Sequence, residues 1–126
     1  MRSGCERWAW LLLVAAGTVA ADGPTAHLPP AVADLVGRLA TCTAYYFNAT
    51  NARPMAEYEA LYGAGERSRN RALRYLDAAD FDRLVGDAAT VMTAMTGGDW
   101  RQFARVQARF GADCDALDES PPPAGD

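Results

Sequence analysis

Between residues 30 and 117 the apolar positions recur at steps of three and four, and no stretch sustains the alternation of a strand. Val32, Leu35, Leu39, Cys42, Tyr46 and Ala49 make one stripe, which predicts a first helix of about five turns opened by Pro30, a residue suited to a first helical turn. A second helix is expected from Pro54, with Met55, Tyr58, Tyr62, Gly65, Ala72, Leu73 and Leu76 facing inward. Gly63 and Gly65 weaken its middle, each by ~1 kcal/mol against alanine, and mark a kink or a close helix contact.

A third helix is expected with Asp80 as its N-cap, with Phe81, Leu84, Val85, Ala88, Val91, Met92 and Met95 at core spacing and Gly97 as its stop. Asp99 caps a fourth, whose stripe is Trp100, Phe103, Val106, Phe110, Cys114 and Leu117. Four amphipathic helices joined by short connections define an all-α fold, a small antiparallel four-helix bundle.

The two ends read differently. "MRSGCERWAWLLLVAAGTVAADG" carries Arg2 and Arg7 around its start, an apolar core from Trp8 and small residues at Val19, Ala20 and Ala21, the pattern of a secretory signal peptide over residues 1–21. Its apolar run, roughly fourteen residues, is shorter than the ~20 that span a bilayer, so no stable membrane span is expected after cleavage. Residues 22–29, with Pro24 and Pro29, read as an extended segment, and residues 118–126, "DESPPPAGD", as an acidic, Pro-rich disordered tail. Residues 30–117 are the helical domain.

Cys5 precedes the apolar run, where a lipid-modified cysteine would follow one, and is discarded with the leader. That leaves Cys42 and Cys114 in an exported chain, and two cysteines in an oxidising compartment allow one pairing. Each lies on an inward stripe. In an up-down-up-down bundle they fall ~15 and ~22 Å below the same end of antiparallel neighbours, a mismatch that tilt and loop offset absorb. A disulfide between the first and fourth helices is expected. A reactive thiol needs an electropositive, open setting, and no Cys-x-x-Cys or neighbouring histidine supplies one. Tyr45, Tyr46 and Phe47 then read mainly as packing.

Charge narrows the functions. The leader takes Arg2, Arg7 and Glu6 from 12 basic and 16 acidic residues, leaving ten arginines against fifteen carboxylates, a net charge of about −5. An acidic domain is a poor general binder of nucleic acid. The chain has no lysine beside abundant Ala, Arg, Gly and Asp, a composition typical of GC-rich genomes and so pointing to a bacterial periplasm. In that setting "NAT" at Asn48 is no glycan site. The single histidine, His27, precedes the helices, so no Ser/His/Asp or Cys/His set can form. No metal site, cofactor motif or enzymatic activity is expected, and Asp77, Asp80 and Asp82 read as helix-start residues.

Some polar residues break the pattern. Arg69 falls within the expected stripe of the second helix and Gln107 within that of the fourth; Arg69 must meet a carboxylate, with Asp87 the candidate, or reach an edge. Arg67, Arg71 and Arg74 share an outward side of the second helix, and Arg101, Arg105 and Arg109 step by four along the fourth, both expected as solvated faces or acidic-partner contacts. The expected function is an exported, non-enzymatic binding or interaction module whose partner is an envelope or extracytoplasmic protein. The competing expectation is a small-molecule carrier with a pocket lined by Tyr45, Tyr46, Tyr58, Tyr62 and Arg69. A continuous cavity reaching Arg69 favours the carrier; a filled core with exposed apolar or arginine patches favours a protein partner.

Overall fold

The computed structural model describes residues 23–120. The expected signal peptide and all but the first three residues of the expected tail lie outside them. Within them the fold is all-helical, without strands: α1 (Pro30–Ala52), α2 (Tyr58–Ala72), α3 (Ala78–Thr96) and α4 (Phe103–Glu119), with 3₁₀ turns at Met55–Glu57 and Trp100–Gln102 leading into α2 and α4.

The helix ends follow from local chemistry. Pro30 stands in the first turn of α1. That helix stops where Arg53, forced extended by the following Pro54, leaves the α region. Asp77, rather than the expected Asp80, caps α3: its side chain accepts from the Asp80 N–H at 2.9 Å. At the other end of α3, Gly97 turns left-handed at φ 63° and the Gly98 N–H reaches back to the Thr93 carbonyl, closing the helix. Asp99 caps the 3₁₀ turn that runs on into α4.

α1 packs against all three other helices, most extensively against α2. It is therefore buried beyond a single stripe: Cys42, Thr43, Ala44, Tyr45 and Tyr46 are consecutive and all buried. The Thr43 hydroxyl, fully enclosed, donates to the Leu39 carbonyl at 2.8 Å, so its burial leaves no polar group unpaired. Val36, Leu39, Phe81, Met92 and Val106 form the fully enclosed centre, each contributing about 1.5–3 kcal/mol by leaving water. Tyr45 stacks on Phe103 with ring centroids 5.7 Å apart and meets Tyr46 edge-on at 5.2 Å.

Cys42 and Cys114 form a disulfide between α1 and α4 with Cα atoms 5.3 Å apart. It closes a span of 72 residues, which stabilises the fold by about 4 kcal/mol on the chain-entropy model. This bond fits an oxidising, extracytoplasmic setting. Among the described residues no helix is long and apolar enough to cross a membrane.

Several further expectations are corrected. Gly65, Ala72 and Leu76 are buried as expected, but the buried face of α2 is made of Ala64, Gly65, Ser68 and Ala72 and is centred roughly a quarter turn from the expected stripe, so Tyr58 and Tyr62, with Met55 in the turn before them, are exposed. Small residues let α2 approach α1 closely, and the Phe47 ring sits where a Gly65 side chain would be: a Cβ there would lie 2.5 Å from its Cε1. Val91 and Gln107 are exposed as well. Residues 23–28, expected as an extended segment, form two turns closed by Ala26 N–H to Gly23 O and Leu28 N–H to Thr25 O, and Leu28 packs against the core. Asp118, expected in the tail, belongs to α4 and is ion-paired.

Candidate functional site

The candidate residues do not share one site. Tyr45 and Tyr46 are buried in the core, where the Tyr46 hydroxyl donates to Asp115 Oδ1 at 2.7 Å. Burial, and then the hydrogen bond to Asp115, pushes the Tyr46 phenol well above its ordinary value; burial does the same to Tyr45. Tyr58 and Tyr62 lie outside on α2, stacked on one another at 5.9 Å, with Tyr62 also against the Phe47 ring at 5.4 Å. Arg69 stands at an edge and pairs with Asp82 at 3.5 Å, not with Asp87. The five residues of the expected carrier pocket are thus split between core, surface and edge, and neither of the two grooves described below touches any of them.

One groove, of about 440 Å³, runs between α1 and α4 beside the disulfide and is flanked by Asp34, Arg38, Phe110 and Asp113. The other, of about 390 Å³, is lined by Arg67, Asn70, Arg71, Arg74, Asp118 and Ser120. Arg67 and Arg74 are exposed, as expected of a solvated side, whereas Arg71 is half-buried. Arg67 holds Asp118 in a two-point contact, Nε to Oδ1 at 2.9 Å and Nη2 to Oδ2 at 2.8 Å, and this hydrogen bond raises the Arg67 pKa further. Arg71 Nη1 donates to the Leu117 carbonyl at 2.9 Å, in the last turn of α4. The guanidinium sits at the negative end of the helix dipole and shares this carbonyl with the C-cap residue Ser120, whose hydroxyl donates to it at 2.7 Å. Arg71 Nε is the one buried side-chain polar atom without a partner among the described residues. Arg74 is exposed and meets no acceptor among them.

Arg101, Arg105 and Arg109 do face outward: Arg101 pairs with Asp99, which it holds below its ordinary pKa, and Arg109 lies over the Phe110 ring at 5.1 Å. Asn48 is half-buried in α1 with its amide 3.8 Å from Met92 Sδ, far from the exposed loop a glycan acceptor occupies. Among the described residues no group of three His, Cys, Asp or Glu side chains is placed to hold a metal ion.

Sequence reasoning placed Gly65 and Ala72 inward and allowed for a close helix contact at Gly65, but it missed three features: the extension of that small-residue face to Ala64 and Ser68, the Arg71 cap on α4 and the Met55–Tyr58–Tyr62 surface. The Arg71 cap depends on where α4 ends relative to α2, which periodicity does not encode. The third follows from the first, because rotating α2 onto its small residues turns its aromatic residues outward. No family model, curated protein or solved structure matches the chain.

Proposed function

We propose that the chain is an exported, non-enzymatic interaction module that docks on another envelope or extracytoplasmic protein through the outer surface of α2. The supporting observation is the exposure of Met55 at 83%, Tyr58 at 42% and Tyr62 at 46%, beside a core filled by other side chains. Methionine and tyrosine are enriched at the centres of protein interfaces, where a rigid ring adds apolar area at little entropic cost. Tyr58 and Tyr62 are already ordered by stacking on one another and on Phe47, so docking fixes few new rotamers. The leader-like start, the disulfide and the lysine-free composition support a periplasmic or secreted location.

The test is capture from the native envelope by the oxidised protein, comparing wild type with a variant carrying Met55→Ser, Tyr58→Ser and Tyr62→Ser. All three side chains are exposed, so the variant keeps its fold, which circular dichroism checks. The proteins recovered with wild type should be lost with the variant and retained with an Arg105→Gln control. Equal recovery by all three proteins would remove the α2 surface from the account.

A further inference from the structure

We infer that the groove between α2 and the C-terminal end of α4 is a binding site for a phosphate-class oxyanion. Three guanidinium groups line it, from Arg67, Arg71 and Arg74, against one carboxylate, Asp118. This excess of positive charge stands on a chain whose formal net charge is −4. The fold accounts for part of it: Arg67 holds Asp118, and Arg71 caps Leu117. It leaves Arg71 Nε buried without an acceptor and the Arg74 guanidinium with none among the described residues.

A buried N–H without a partner is costly, and an anion seated between Arg71 and Arg74 supplies acceptors to both. The place a carboxylate would take on Arg67 is filled by Asp118. The remaining donors, from Arg71, Arg74 and the Asn70 amide, outnumber what two carboxylate oxygens receive comfortably; the oxygens of a phosphate group match them better. At about 390 Å³ the groove also admits a small phosphorylated molecule. At 100° per residue Arg67 and Arg71 lie on the opposite flank of α2 from Tyr58 and Tyr62, and Arg74 follows in the turn after the helix, so this site is separate from the proposed protein-docking surface.

The experiment is amide and guanidinium NMR of the oxidised full chain, titrated with inorganic phosphate against sodium chloride at equal ionic strength. Saturable shifts are expected at Asn70, Arg71, Arg74 and the Arg71 Nε–H, with apparent affinity falling about tenfold in Arg74→Gln, the loss of one charge-assisted hydrogen bond. Arg74 has no role in holding the fold, so this variant remains testable where Arg71→Ala is destabilised. Co-sedimentation with phosphatidylglycerol but not phosphatidylcholine vesicles, abolished by Arg74→Gln, would assign a lipid headgroup as the source of the phosphate. Phosphate shifts without co-sedimentation would assign a free phosphorylated ligand. Shifts reproduced by chloride, shifts spread equally over Arg101, Arg105 and Arg109, or an unchanged affinity in Arg74→Gln would each overturn the site. The variant with serines at positions 55, 58 and 62 should bind phosphate as wild type does, which keeps this test separate from that of the docking surface.

Discussion

Arg71 closes the end of a helix it does not belong to, and Arg69, two residues away, makes only a long surface pair with Asp82. Removing Arg71 takes the cationic donor from the Leu117 carbonyl but leaves it the Ser120 hydroxyl, so the cost falls at the low end for a hydrogen bond from a charged group, about 1.5 kcal/mol. Removing Arg69 costs about 0–1 kcal/mol, since half-exposed pairs contribute little. Chemical denaturation should therefore rank Arg71→Ala well below Arg69→Ala, and the reverse order would undo the capping role. Tyr46 gives a second prediction. Its folded pKa lies above the unfolded value of 10.0, chiefly through burial and then through the bond to Asp115. This group's contribution is complete below the unfolded value and is lost as pH rises past about 10. Absorbance titration should show two phenols in wild type, Tyr45 and Tyr46, that ionise only as the chain unfolds in alkali, and Tyr46→Phe should show one fewer. Both side chains were visible in the sequence, Tyr46 as an inward position and Arg71 as a charge. The partner of each lies about 46 to 69 positions away, and local periodicity carries no information at that distance.

At the scale of the helices, α1, α3 and α4 were legible because large apolar residues mark their buried faces: Leu39 and Tyr46, Phe81 and Met92, Phe103 and Val106. α2 was not, because its contact face uses Ala64, Gly65, Ser68 and Ala72, while its largest apolar residues stand outside. A reading weighted by side-chain size turns such a helix the wrong way, and the Arg69 anomaly was a product of that turn. Gly65 tests the corrected orientation. An alanine Cβ would lie 2.5 Å from Phe47 Cε1 and 2.7 Å from Cδ1, so the ring must swing or the helices part. Gly65→Ala should destabilise by about 1–3 kcal/mol despite the better helix propensity of alanine. Adding Phe47→Ala should recover part of the loss in a double-mutant cycle. Stabilisation by Gly65→Ala alone would mean that this face of α2 is open.

For the whole molecule, the disulfide joins a central helix to the last one across a separation of 72 positions, so its loss loosens the chain between them. Cys42→Ser or Cys114→Ser should remove about 4 kcal/mol, a large share of the ~5–15 typical of a domain. Reduction should lower the wild-type melting temperature toward that of either variant while leaving both variants unmoved. Two titratable thiols in freshly exported native protein would contradict the staple. Protein docking through the exposed tyrosines of α2 is the proposed mode of action. The most direct measurement is photo-crosslinking in the native host, with a benzophenone side chain replacing Tyr62 or, as a control, the exposed Gln107 on α4. A discrete protein adduct is expected from position 62 and none from position 107; no adduct at 62, or the same adducts from both positions, would contradict docking through α2.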